Sequence, residues 1–177
     1  MKETRRLTEI AILISLAVVI ELGFSFLPKL PQGGRISIAM LPIFIIAWRH
    51  GFKWGVIGGA VYGMLNLMLD GILYHWASFF LDYVIAFGVI GFAAFAKKWI
   101  GDSPLGFGVG IVVGSTLRFI SHFISGFLIF GQYAEGAGFN SIYIYSLSYN
   151  VTYVLPSMLF TLIIGIIIFQ PLKRITE

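Results

Sequence analysis

The chain has 177 residues, of which 58% are hydrophobic and 11% are charged, and its mean hydropathy is +0.92. This is far more apolar side chain than one small core can bury, so the composition excludes an ordinary water-soluble domain and indicates lipid as the solvent. Twelve Lys and Arg outnumber eight Asp and Glu, and the absence of Cys excludes disulfides and thiolate metal sites.

Six apolar segments are predicted to be transmembrane helices, because a span needs roughly 20 residues. In chain order they cover Leu7–Leu27, Ile36–Trp48, Gly55–Leu69, Trp76–Ala96, Leu105–Phe130 and Tyr149–Phe169. The first segment is too long for a signal peptide and contains Glu9 and Glu21, so we interpret it as a retained helix. The sequence therefore predicts an all-α integral membrane protein with six transmembrane helices in a single domain, 1–177.

The basic residues predict the orientation of these helices. Nine of the twelve fall on the side that carries both chain termini: Lys2, Arg5, Arg6, Arg49, Lys53, Lys97, Lys98, Lys173 and Arg174. Because Lys and Arg are retained in cytoplasmic loops, we expect both termini to be cytoplasmic in a multi-pass protein of the bacterial plasma membrane. This distribution explains the basic charge without a nucleic acid partner, and none is expected.

Small residues recur at helical spacing in several segments. Gly51, Gly55, Gly59 and Gly63 repeat every fourth residue, and Ala11 and Ser15 form a small pair on the first helix. Small residues allow helix backbones to approach closely within a membrane. The pattern favours packing within the chain, and the alternative is that one such face meets another membrane subunit.

Charged residues inside the spans are the candidates for function, since each one is costly at membrane depth. Glu9 and Glu21 lie near helix ends, where contact with water would stabilise their charge without any functional role. Asp82 lies about 9 Å into the fourth helix, and Arg118 and His122 lie about 20 and 25 Å along the fifth, at 1.5 Å per residue. Asp82 and Arg118 could form an ion pair that only joins two helices.

The alternative is a ligand pocket that opens away from the cytoplasm. Arg118, His122 and Gly126 are four residues apart on one helix face, and Phe130 ends that face. We expect Tyr145, Tyr149 and Asn150 to precede the last helix at the same depth. An acid, an imidazole, an amide and several aromatic rings suit a small, flat, cationic ligand. The glycine-containing segment from Phe130 to Ser148 is predicted to be either a lid or an ordinary solvated loop.

Several motifs resemble the thiamine-specific S-components of energy-coupling-factor vitamin transporters. These motifs are Pro31–Gly34 with Ser37–Ile43, then Leu81–Phe87, and most specifically Leu117–Gly126 followed by Tyr145–Asn150. The resemblance runs over essentially the whole chain. This chain has Asp82 where some relatives have Glu, Arg118 where some have Lys, and Phe130 in a region where some have Trp.

The resemblance implies a six-helix protein without enzymatic activity, cofactor or metal, which binds thiamine tightly from outside the cell. Carried over by motif, the substrate-binding residues are Asp82, Tyr83, Arg118, His122, Gly126, Phe130, Tyr145 and Asn150. In such systems the S-component docks on a transmembrane coupling subunit that is driven by two cytosolic ATPases. Ala11 and Ser15 correspond to the docking face.

Two other functions are considered. An intramembrane hydrolase or transferase could use His122 with Asp82 or Ser121, but the chain has no nucleophile-elbow, zinc-protease or phosphate-loop motif. A proton-coupled secondary transporter of a small cationic or heteroaromatic solute could use Asp82 and His122 as proton carriers. Such transporters typically contain internal repeats, and no internal repeat is evident in this sequence.

Overall fold

The computed structural model describes residues 2–70 and 73–174, and the remaining positions of the predicted 1–177 domain lie outside the described residues. Six helices form the fold: α1 (Lys2–Gly23), α2 (Leu41–His50), α3 (Phe52–Asp70), α4 (Trp76–Ile100), α5 (Pro104–Leu128) and α6 (Ile142–Arg174). The described ranges contain no strand. The all-α, six-helix prediction is therefore confirmed, and α4, α5 and α6 are each long and apolar enough to cross a membrane.

Local sequence explains the short connections. Gly51 and Gly101 have φ values of +86° and +98°, a left-handed conformation that ends α2 and α4 at little steric cost. Ser103 then caps α5 by accepting a hydrogen bond of 3.1 Å from the Gly106 N–H, and Pro104 occupies the first helical position. These signals reverse the chain within a few residues, so α2 and α3, like α4 and α5, pack as neighbours.

The predicted start of the last helix is wrong. Helix α6 begins at Ile142, so that Tyr145, Tyr149 and Asn150 lie within it rather than before it. Its buried residues recur at helical spacing from Tyr145 through Asn150 to Phe169, which shows that the polar groups of the first turns belong to the inward face of the helix. The second helix also differs from the prediction, because residues 36–40 precede α2 as irregular chain.

Helix α4 changes its winding along its length. A π-helical segment, Phe79–Val84, contains Asp82 and Tyr83, and a 3₁₀ segment follows at Val89–Phe92. A π turn is wider than an α turn and is frequently found at functional sites. The irregular winding therefore lies where the predicted acidic site is located.

The glycine stripe of α3 packs within the chain. A Cβ atom on Gly55 would lie 2.8 Å from the Cα of Gly91, and one on Gly63 would lie 2.7 Å from the carbonyl carbon of Tyr83, both in α4. Such distances leave no room for a side chain, so the glycines allow α3 and α4 to meet backbone to backbone. Ala11 and Ser15 are instead exposed on α1.

Charged residues are paired at the end of the bundle that carries both termini. Glu9 forms an ion pair with Arg49 at 2.8 Å. Asp102 accepts a hydrogen bond from Trp48 Nε1 at 2.9 Å and forms an ion pair with Lys97 at 3.2 Å. Burial disfavours ionisation of Asp102, but the bonds from Trp48 and Lys97 outweigh it and lower the pKa of this carboxyl below its ordinary value. Most of the predicted cytoplasmic basic residues lie at this end.

Candidate functional site

A cavity with an empty volume of about 890 Å³, including its part open to solvent, lies between the helices at the other end of the bundle. It is lined from every helix except α2 and from the chain before α2. All eight residues predicted from the sequence as substrate-binding line it: Asp82, Tyr83, Arg118, His122, Gly126, Phe130, Tyr145 and Asn150. The structure thus brings them together, and their contacts with a ligand stay a prediction.

Asp82 is the centre of a hydrogen-bond cluster between α4 and α5. Its carboxylate accepts bonds from the hydroxyl groups of Ser78 and Ser125, the latter at 2.6 Å, and lies 3.0 Å from Nδ1 of His122. Its side chain is 16% exposed. These three partners offset the cost of a polar group in an apolar environment, so the Asp82 carboxyl group is held in place at the cavity wall.

His122 connects Asp82 to Arg118. The Arg118 Nε–H donates to His122 Nε2 at 3.3 Å, and Arg has donors but no acceptors. Nε2 must therefore carry the lone pair, which assigns the ring proton to Nδ1, where it is donated to Asp82. The direct Asp82–Arg118 ion pair considered from the sequence is not formed in the described part of the chain, because the imidazole stands between the two charges.

The guanidinium of Arg118 lies on the inner wall of the cavity. Its central carbon is 4.4 Å from the centroid of the Phe87 ring, and Nη1 approaches the sulfur of Met40 at 3.5 Å. A ring face and a thioether are weak partners for a cation. Arg118 is therefore positioned by the protein while it keeps hydrogen-bonding capacity toward the cavity.

Helix α6 forms an aromatic wall. The rings of Tyr145, Tyr149 and Tyr153 succeed one another at centroid distances of 6.1 and 5.8 Å. The Nδ2 of Asn150 donates to the carbonyl of Ser146 at 2.8 Å and to that of His122 at 3.3 Å, while its Oδ1 accepts from the Tyr153 hydroxyl at 2.7 Å. Asn150 thus joins α6 to α5 and aligns the wall.

Gly126 is required for this junction. A Cβ atom at this position would lie 2.9 Å from the Cβ of Ser146 and 3.1 Å from Nδ2 of Asn150. No real side chain tolerates contacts this short without movement of its neighbours. Gly126 therefore lines the cavity and also sets the separation of α5 and α6.

The chain between α1 and α2, residues 24–40, closes one side of the cavity. The Gly34 N–H donates to the Tyr149 hydroxyl at 3.0 Å, and the Ser37 N–H donates to Oγ of Ser157 at 3.1 Å. From the other side, the Tyr74 hydroxyl donates to the Pro31 carbonyl at 3.1 Å. This connection is thus bound to α6 and to the segment before α4.

The segment predicted to be either a lid or a solvated loop contains short helical structure and some buried residues, although most of residues 131–140 are exposed. The segment from Phe130 to Ser148 contains a 3₁₀ turn, Gly131–Tyr133, and the first turns of α6. Phe130 is 9% exposed and Tyr145 is 6% exposed, and both belong to one small apolar cluster. Phe130 also meets the Tyr74 ring edge to face, with centroids 5.5 Å apart, at the rim of the cavity.

Glu21 was predicted to reach water at the helix end, and this prediction is wrong. It is 7% exposed, forms an ion pair of 3.4 Å with Arg35 and accepts a bond of 2.6 Å from Ser37. The cationic residue that draws it inward lies in the connection after α1, which the sequence shows only as an isolated charge. Sequence reasoning missed Glu21, Arg35, Tyr62 and Asn66 as cavity residues.

Within residues 2–70 and 73–174, no group of three or more His, Asp or Glu side chains is arranged so that it could hold a metal ion. The cavity offers two carboxylates, an imidazole, two guanidinium groups, amides and aromatic rings. Such a set can bind a polar heteroaromatic ligand by charge and hydrogen bonds.

Comparison with known proteins gives consistent results. The family described as thiamine transporter protein matches residues 7–177. A thiamine transporter named ThiT from Bacillus subtilis is 33% identical over 186 residues, which cover 99% of this chain and 96% of that protein. Another from Lacticaseibacillus paracasei is 29% identical over 143 residues, which cover 73% of this chain and 70% of that protein.

A solved structure supports the fold. The structure of ThiT from Listeria monocytogenes superposes with a TM-score of 0.82 at 22% identity and covers 98% of both chains. At this identity the likeness concerns the arrangement of the helices, and the six-helix architecture is therefore one that a solved protein also adopts.

Proposed function

Because the chain belongs to the thiamine transporter protein family, we propose that it is the thiamine-binding S-component of an energy-coupling-factor importer. Membership of a transporter family also means that the chain is not an enzyme. One observation carries the proposal: the eight residues expected from the sequence to bind substrate line one cavity, with a carboxylate fixed at its wall. Thiamine carries a permanent cation, an aminopyrimidine and an alcohol, and the cavity offers complementary groups.

The ligand would be recognised by charge and by aromatic surfaces. Asp82 supplies a countercharge for the thiazolium or a hydrogen-bond acceptor for the aminopyrimidine, and the tyrosine wall presents ring faces that attract a cation. Tyr145 and Asn150 would bind the edge of the pyrimidine, since Oδ1 of Asn150 accepts from Tyr153 and keeps a second lone pair. His122 would stack against the ligand while Asp82 holds its tautomer.

Energy for uptake would come from partners. The cavity lies at the end of the bundle away from both termini. With the basic end on the cytoplasmic side of the bacterial plasma membrane, the cavity would open to the outside of the cell. Ala11 and Ser15 are exposed on α1, where the Ser15 hydroxyl bonds back to the Ala11 carbonyl at 2.9 Å and leaves a smooth surface. This face would dock on a transmembrane coupling subunit driven by two cytosolic ATPases.

A secondary transporter is the second candidate, and one observation favours it. His122 and Asp82 lie 3.0 Å apart and form a pair that could exchange a proton within a membrane. Such a protein would accumulate solute alone under a proton gradient.

Two measurements test the proposal. Calorimetric titration of the detergent-purified protein with thiamine should show saturable binding without nucleotide, and His122→Ala should weaken it while the matched variant His75→Ala, which lies outside this cavity, should not. Proteoliposomes of this chain alone should not accumulate thiamine under a proton gradient. Absence of binding would contradict the proposal, and accumulation would favour the secondary transporter.

A further inference from the structure

Asn66 is a polar residue of α3 that faces the cavity from a helix to which neither the sequence motifs nor the proposed mechanism gives a role. Its neighbours in the chain, Leu65 and Leu67, are apolar, and the residue is 7% exposed. It lines the cavity together with Tyr62, one helical turn away. A buried amide in an apolar helix is costly unless its hydrogen-bonding groups are satisfied.

The protein satisfies this amide poorly. In the described ranges its single hydrogen bond runs from Nδ2 to the Tyr62 hydroxyl at 3.4 Å, beyond the usual range for such bonds. Its carbonyl oxygen Oδ1 makes none. Asn150, an amide of α6 that also lines the cavity, donates through Nδ2 to acceptors on two helices and accepts from Tyr153 at 2.7 Å. The two amides therefore differ: Asn150 is bound by protein groups, while Asn66 retains an acceptor at the cavity.

We propose that Oδ1 of Asn66 accepts a hydrogen bond from the primary alcohol of the ligand, so that α3 contributes directly to substrate recognition. This inference rests on the proposed function. The thiazolium cation matches Asp82, and the pyrimidine edge matches Tyr145 and Asn150. The alcohol of thiamine then still needs a partner, and Asn66 is a buried neutral residue of the cavity whose carbonyl oxygen makes no hydrogen bond in the described ranges. A neutral amide and an alcohol pair without a net charge being buried.

The experiment compares two ligands on two proteins. Thiamine and deoxythiamine, in which a hydrogen replaces the hydroxyl group, are titrated calorimetrically into the unaltered protein and into Asn66→Leu. Leu has the branched shape of Asn, with methyl groups in place of the amide oxygen and nitrogen, and lacks the acceptor. We expect Asn66→Leu to weaken thiamine binding about tenfold, the effect of one buried hydrogen bond, and to leave deoxythiamine binding unchanged. Asn66→Ala is the second variant, should the Leu variant fail to fold.

Thr161→Val is the matched control, because Thr161 is fully buried in α6 and does not line the cavity. It should leave the affinity for both ligands unchanged. Equal weakening of both ligands by the Asn66 variants, or no weakening of either, would overturn the inference while thiamine binding by the unaltered protein upheld the proposed function. Absence of thiamine binding by the unaltered protein would overturn both.

Discussion

Replacing Asp82 by Asn removes the carboxylate between α4 and α5 from the cavity wall while the shape of the side chain is kept. The carboxylate has three protein donors, namely two serine hydroxyls and the His122 ring. The hydroxyls can rotate to adapt to an amide, so the main loss is the attraction between a charged carboxylate and a cationic ligand. Two unit charges about 4 Å apart interact by about 4 kcal/mol at an effective dielectric constant of about 20.

This energy corresponds to a roughly thousandfold weaker affinity, at 1.4 kcal/mol for each factor of ten. We expect Asp82→Asn to raise the dissociation constant for thiamine by about that factor in calorimetric titration at neutral pH. Asp102→Asn is the matched control, because it removes a carboxylate at the opposite end of the bundle and should not change the affinity. A less than threefold effect of Asp82→Asn would refute the assignment of Asp82 as the countercharge of the ligand.

Three further predictions concern stability and packing. Gly126→Ala should push α5 away from α6 at Ser146 and lower the free energy of unfolding by about 1–3 kcal/mol. The affinity for thiamine should fall as well, and an unchanged melting temperature would contradict the packing argument. Glu21→Gln should remove the carboxylate that pairs with the buried Arg35 and lower the free energy of denaturant unfolding by about 3–5 kcal/mol, and a loss below about 1 kcal/mol would show that the pair is dispensable. The pKa of Asp102 is lowered in the folded protein, so its stabilising contribution is present above the unfolded value near 3.9 and is lost as the pH falls through the folded value. Thermal unfolding as a function of pH should therefore show a weaker acid dependence for Asp102→Asn, and identical profiles would refute this.

Much of the site could be predicted from the sequence because membrane-embedded charges are rare. Asp82, Arg118 and His122 stand out in apolar segments, and lipid tolerates such residues only when they face the interior. Their depth follows from helix geometry alone, which explains why all three line one cavity. The same reasoning failed for Glu21, because its partner Arg35 lies in irregular chain whose path has no periodic signal.

The sequence by itself determined that the helices are apolar enough for lipid, how many helices there are, and which end of the bundle carries most of the basic residues. These features depend on composition, span length and the placement of Lys and Arg. Tertiary structure alone decided which polar groups are used by the protein. The start of α6, the proton on Nδ1 of His122 and the unused oxygen of Asn66 all depend on contacts between residues far apart in the chain. Hydrogen bonds require precise distances and directions, and only the packed helices supply them.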